Sequence, residues 1–287
     1  MFITYILAVI FILPDQVFCQ NRIINGFSAK NHQFPYQVSL SRSTIWGVPS
    51  EIKSSHFCGG SIVNESWIVT AAYCVYKLSA TSKIHVLAGK HFLNETEIHQ
   101  QNRIVVSVVI HKYYPGYYAQ HDIALLKLNE PFIINNYVKI VALPKSNETP
   151  DADVYWLSGW GSVSRDDRST MSNELKTYYV PIIDLNTCRD SMNEAMVHME
   201  LFHTQICTGP LLGSIIVAPC IGDSGGPLVK NAQYGPKLVG IVSWGLKPCG
   251  VSPISSVYTR VSSYVDWIRN ITNSNRLPQN CMDICFL

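Results

Sequence analysis

The chain has 287 residues, of which 15% are charged and 47% apolar, with a formal net charge of +2. That is enough length for one large domain or two small ones with ample core, and too apolar a composition for a disordered chain. The small net charge supplies no electrostatic basis for binding nucleic acid or a membrane surface. From the N-terminus, Phe2 to Leu13 is an apolar run too short to span a bilayer, and it suits the core of a signal peptide cut after Val17-Phe18-Cys19. Residues 1–19 are therefore expected to be removed, with Gln20-Asn21-Arg22 left as a very short pro-segment ahead of Ile23. Setting Cys19 aside, the remaining eight of the nine cysteines are an even number, as an oxidised secreted protein would have. Sequence alone leaves on the order of a hundred pairings open. Sequons at Asn64, Asn94, Asn147 and Asn270 agree with a secretory route.

From Phe34 onward the pattern is short alternating runs broken by Gly, Pro, Asn and Ser, as in Tyr36–Leu40, Lys83–Leu87 and Arg103–Ile110. Strands dominate, and many short strands with turn punctuation indicate a closed barrel or a sandwich. A final amphipathic helix is expected over about Ser262 to Asn270, with Val265, Trp267 and Ile268 on its apolar side.

The chemistry gathers at Gly222-Asp223-Ser224-Gly225-Gly226-Pro227. Three glycines around one serine describe a tight turn that exposes a hydroxyl and frees the N–H groups of Gly222 and Ser224 to point at one spot. Those are the parts of a serine nucleophile with an oxyanion hole. Thr70-Ala71-Ala72-Tyr73-Cys74, Asp122-Ile123-Ala124-Leu125-Leu126, Ser158-Gly159-Trp160-Gly161 and Ser243-Trp244-Gly245 lie in order around it. With these motifs the chain resembles the trypsin/chymotrypsin family of serine proteases over roughly Ile23 to Ile271.

The resemblance implies an all-β fold of two six-stranded antiparallel β-barrels, split near Leu143, with a C-terminal helix. It implies a protease domain over 23–272 and leaves 273–287 as a tail. It selects the disulfides Cys58–Cys74, Cys188–Cys207 and Cys220–Cys249, leaving Cys281 and Cys285 without a counterpart. They are read as closing a local ring, tethering the tail, or linking two chains, so the protein is expected as a monomer or as a dimer bridged through Cys281 or Cys285. Cleavage between Arg22 and Ile23 would free an amine that pairs with Asp223 and orders the pocket and oxyanion hole. A buried ammonium needs such a partner.

One position departs from the family pattern in a way that decides function. The family's general-base histidine falls on Tyr73, between the orienting carboxylate Asp122, which Ser243 would support, and the nucleophile Ser224. A phenol, with a pKa of about 10, stays protonated near pH 7 and offers a donor where an acceptor is wanted. It is expected to donate to Asp122. The specificity pocket is altered too: Ala218 stands at its base where no carboxylate is available, Gly245 leaves one wall open, and Ser256 narrows it. Selection of Arg or Lys is not expected. Of the nine histidines, His121 should not reach Ser224. His56 reads as structural or as a partner of Asp223 before activation, and His32, His85, His91, His99, His111, His198 and His203 read as surface or loop residues. The loop that binds calcium in some relatives spans about Lys90 to Gln101, and a lysine ammonium there opposes a cation. No metal and no cofactor is expected.

Three stretches look embellished: Ser41 to Ser55, Tyr113 to Tyr118, and the tail from Asn273. Their aromatic residues are candidate anchors for a protein partner. The reading is a secreted protease homologue that binds a protein partner or protease target as decoy, cofactor or inhibitor in a proteolytic cascade. The alternatives are a weakly active endopeptidase and a structural or storage protein.

Overall fold

The computed structural model describes residues 26–43, 54–78, 83–116, 120–151, 153–164, 170–209, 217–250 and 255–274. The readings on the signal segment, on Arg22 and Ile23, on Tyr117 and Tyr118, on most of the Ser41–Ser55 loop, and on Cys281 and Cys285 fall outside those residues.

The first barrel is built from β2 (Gln37–Ser43), β3 (Ser54–Asn64), β4 (Trp67–Thr70), β5 (Ile84–Ala88), β6 (Gln101–Ile110) and β7 (Ala124–Leu128), and closes in the order β2-β3-β4-β7-β6-β5. Every pairing is antiparallel, and β2 with β5 makes the seam, from Ser39↔Leu87 to Arg42↔Ile84. Val38, Leu40, Ile62, Ile68, Ile84, Val86, Leu125 and Leu126 are fully buried. A closed barrel leaves no edge strand to cap, so these short strands need only fill the interior.

The second barrel comprises β8 (Val154–Gly159), β9 (Lys176–Ile183), β10 (Gln205–Thr208), β11 (Pro227–Ala232), β12 (Gly235–Trp244) and β13 (Ser256–Arg260), closed where β8 pairs β9. The two-residue strand β1 (Phe27–Ser28) adds to the outside of β9. Gln37 ties the barrels together: its amide donates to the Ser158 carbonyl at 2.9 Å and its side-chain oxygen accepts from the Ser158 hydroxyl. Helix α1 (Leu185–Glu194), which the strand-dominated reading did not include, is announced by Asp184. That side chain accepts from the amides of Asn186 and Thr187, each at 3.0 Å, as an N-cap should. The C-terminal helix begins later than expected. Val261–Tyr264 forms a 3-10 turn whose Val261 and Tyr264 are buried, and α2 runs Val265–Thr272 with Val265, Ile268 and Ile271 inward.

Two of the histidines read as surface or loop residues are buried. His85 sits within β5, opposite Ser41 and Ile104, and is 7% exposed. His91, 3% exposed, lies where the first barrel meets the second; its carbonyl accepts from Trp160 Nε1 at 3.0 Å and from the Leu175 amide at 2.8 Å. The three disulfides Cys58–Cys74, Cys188–Cys207 and Cys220–Cys249 are formed.

Candidate active-site cleft

The turn around Ser224 is held from three directions. Gly59 N donates to Ser224 O at 2.8 Å from the first barrel, Gly225 N to Val242 O at 2.7 Å from β12, and Gly226 N to Asp223 O at 2.9 Å within the turn. Gly225 has φ +79° and lies against Thr70, Ala71 and Gly59, so any side chain there meets both an unfavourable backbone and occupied space. His56 fixes Gly222: its Nε2 donates to Gly222 O at 3.0 Å while Nδ1 accepts from Ser39 Oγ at 2.8 Å. Burial lowers the His56 pKa to about 4, so the ring is neutral with its proton on Nε2. His56 thus braces a backbone carbonyl, and the expected pairing with the Asp223 carboxylate is not the contact it makes.

Asp223 is 1% exposed and accepts from Gly161 N at 2.8 Å and Cys220 N at 2.9 Å. A Cβ added at Gly161 would fall on that carboxylate, which is why the Ser-Gly-Trp-Gly stretch ends without a side chain. Burial raises the Asp223 pKa to about 6 against the pull of the two amides.

Asp122 stands just before β7 and is 1% exposed. Ser243 Oγ, on β12, donates to its Oδ2 at 2.6 Å, and the Tyr73 amide donates to its Oδ1 at 2.8 Å. Ala72 supports it with its own backbone N–H, while burial pushes the pKa up to about 6. The orienting carboxylate is therefore in place, held by the 3-10 turn Ala72–Cys74 that presents residue 73. What it accepts from Tyr73 is the main-chain amide, where a phenol contact was expected; the Tyr73 ring is 42% exposed. His121 points elsewhere: its Nδ1 meets the Tyr264 hydroxyl at 2.9 Å and its ring stacks on His111 at 4.7 Å. Among the described residues no base accepts a hydrogen bond from Ser224 Oγ.

Tyr73, Gly222, Ser224, Ala218, Gly245 and Ser256 line one cavity of about 130 Å³. Ser256 faces Gly245 across it, with Ser256 Oγ 3.9 Å from where a Cβ on Gly245 would stand. Among the described residues the cavity lining has no carboxylate, and Lys247 at its wall opposes a cationic guest. Lys247 and Phe57, which also lines it, were not singled out from the sequence. Lys247 follows Ser243-Trp244-Gly245 by two residues, a signal that was available; Phe57 is brought across by β3 and had none. The groove continues past Tyr73 into a second space of about 320 Å³ bounded by Arg42, Phe57, Tyr76 and Lys77.

In the Lys90–Gln101 loop, the buried Lys90 ammonium donates to Gln100 Oε1 at 2.9 Å and to the Glu95 carbonyl. Glu97 accepts from the amides of His91 and Phe92 at 2.7 and 2.6 Å. The oxygens that would hold a cation face an internal one. Among the sequons, Asn94, Asn147 and Asn270 are exposed, while Asn64 is half-buried with its Oδ1 accepting from the Ser66 amide at 3.0 Å.

Two barrels, a glycine-braced serine turn and a serine-supported carboxylate define a chymotrypsin-type serine protease scaffold. The family model for trypsin matches residues 23–268. The chain belongs to the trypsin family of serine proteases. It is 36% identical to coagulation factor IX of Cavia porcellus, covering 86% of this chain and 80% of that one. It is 33% identical to trypsin of Sus scrofa, covering 89% and 97%, and 35% identical to serine protease 1 of Rattus norvegicus, covering 93% and 95%.

Proposed function

We propose that this chain is a secreted, non-catalytic member of the family that works by holding a protein in its cleft, as decoy, cofactor or inhibitor of a proteolytic cascade. The observation that carries the reading is Tyr73. The scaffold delivers residue 73 to Asp122 through the main chain, yet the side chain presented is a phenol, not an imidazole. Without a base the serine hydroxyl stays protonated, and what remains is binding and oxyanion stabilisation, worth on the order of 10³–10⁴-fold over water. The groove on both sides of Tyr73, walled by Phe57 and Tyr76, supports binding as the retained property. Three disulfides and exposed sequons support secretion. A relative named as a coagulation factor supports a place in a cascade.

The test uses protein whose chain begins at Ile23, incubated with a fluorophosphonate probe and a mixed peptide library beside Ser224→Ala. Wild type and Ser224→Ala are expected to be equally silent. Turnover by the wild type that vanishes in Ser224→Ala would establish the second reading, a weak endopeptidase with another base. The preserved hold on Asp122 is what favours that alternative.

A further inference from the structure

The second barrel carries a cavity that shares no residue with the cleft. It measures about 350 Å³ and lies between Pro150, the end of β9 with the start of α1, β10, and Arg260 at the end of β13. Its walls are mostly aliphatic, from Ile182, Ile183, Leu185 and Ile206. That volume is at the lower end of the range small-ligand sites occupy.

The charged groups around it differ in how far they are already used. Asp184 accepts from two amides and from the Thr187 hydroxyl as the cap of α1. Asp151 accepts from the Tyr155 hydroxyl at 2.7 Å and pairs with Lys230. Arg260 is half-buried, and the one side-chain bond it makes among the described residues runs from Nε to Ser263 Oγ at 2.8 Å. No ion pair joins Arg260 to a carboxylate among the described residues. A guanidinium has five N–H donors in a rigid fork matched to a carboxylate, so about four remain for a guest. Keeping such a cation partly out of water is unfavourable, and an anion on it offsets that cost.

We propose that this cavity binds a small aliphatic carboxylate, with Arg260 gripping the two oxygens and the isoleucine walls covering the chain. One arginine with His203 on the same wall, flanked by Asp151 and Asp184, does not suit an extended polyanion, which needs several cations and would meet both aspartates. An amine would meet the like charge of Arg260 and gain nothing from its fork of donors. An alcohol of the same length would gain the apolar contacts and lose the charge-assisted pair. The site is also wired to the cleft. Strand β13 runs from Arg260 to Ser256 in the cleft wall, and Thr259 Oγ1, one residue from Arg260, donates to Asp122 O at 2.7 Å.

The experiment is calorimetric titration of the whole secreted protein with hexanoate, hexanamide and hexylamine, repeated on Arg260→Gln and Arg260→Lys after thermal melting. Hexanoate is expected to bind at least about tenfold more tightly than either neutral or cationic analogue. Arg260→Gln should lose that preference, and Arg260→Lys should keep part of it. Equal binding of hexanoate and hexanamide by the wild type overturns the proposal without any variant being needed. So does undiminished hexanoate binding by a folded Arg260→Gln, or no hexanoate binding at all.

Discussion

Tyr73→His should turn the scaffold into a protease, and the structure allows the gain to be bounded. The Asp122 carboxylate already accepts from Ser243 Oγ at 2.6 Å and from the residue-73 amide at 2.8 Å, so it is oriented before any imidazole arrives. The Ser224 turn is tied to both barrels, and Gly222 is braced by His56. Tyr73 is 42% exposed, so exchanging it for a smaller ring leaves no cavity in the core. Losing one member of a triad lowers turnover by roughly 10⁴–10⁶-fold. Restoring it in a scaffold shaped without it should recover a large part of that, at least about 10³-fold, or about 4 kcal/mol of barrier. The assay is fluorophosphonate labelling and peptide cleavage by protein whose chain begins at Ile23. The rate should rise with pH through about 7 as the imidazole loses its proton. Small or apolar residues should be preferred in the cavity over Ala218, with Lys and Arg rejected. A folded Tyr73→His that neither labels nor cleaves, with its melting temperature unchanged, would refute the claim that one side chain separates this protein from catalysis.

Three further outcomes follow from the same geometry. The Asp122 pKa is raised from 3.8 to about 6 by burial, so the folded state holds that proton more tightly than the unfolded chain. This contribution is fully present below pH about 4 and fades as pH rises through about 6, by up to ~3 kcal/mol. Relative to the wild type, the melting temperature of Asp122→Asn should therefore rise as pH goes from 4 to 8, and a gap that does not change with pH would count against it. Lys90→Met removes the donor to Gln100 and Glu95 and should cost about 1–3 kcal/mol in denaturant unfolding, while added calcium should leave the wild-type melting temperature where it was. On a non-reducing gel, a dimer that collapses on reduction and is absent from a Cys281→Ser, Cys285→Ser double variant would place an interchain bridge in the tail. A monomer under both conditions removes that idea.

The serine turn, the Asp122 stretch and Ser243 were legible because each is a local motif whose chemistry depends on neighbours in sequence. The barrels were legible from strand rhythm and family resemblance together. What could not be read is what the fold assembles from distant strands. Phe57 reaches the cleft from β3, and nothing in its own neighbourhood marks it, whereas Lys247 is marked by following Ser243-Trp244-Gly245 by two residues. His85 looks like a polar residue in an alternating run, and only the meeting of β5 with both β2 and β6 buries it. Arg260 closes a strand in an ordinary position, and that no carboxylate among the described residues pairs with it is visible only once β9, β10 and α1 have been placed around it.

The presence of Asp122 and Ser243 reads at first as a mark of catalysis, but the structure supplies another reason for both. Asp122 joins three segments distant in sequence. Its two carboxylate oxygens bind Ser243 on β12 and the turn that carries Tyr73, and its carbonyl accepts from Thr259 Oγ1 on β13 at 2.7 Å. Two of those partners belong to the second barrel, so Asp122 is a clamp across the cleft floor. Its charge is unfavourable in that position, as the raised pKa records, yet removing the group would leave Ser243 Oγ and two amides without an acceptor in a buried site. A chain that had stopped cleaving would still need the clamp to keep its groove in shape. The carboxylate therefore belongs equally to an enzyme and to a binding protein, and residue 73 is the position at which the two differ.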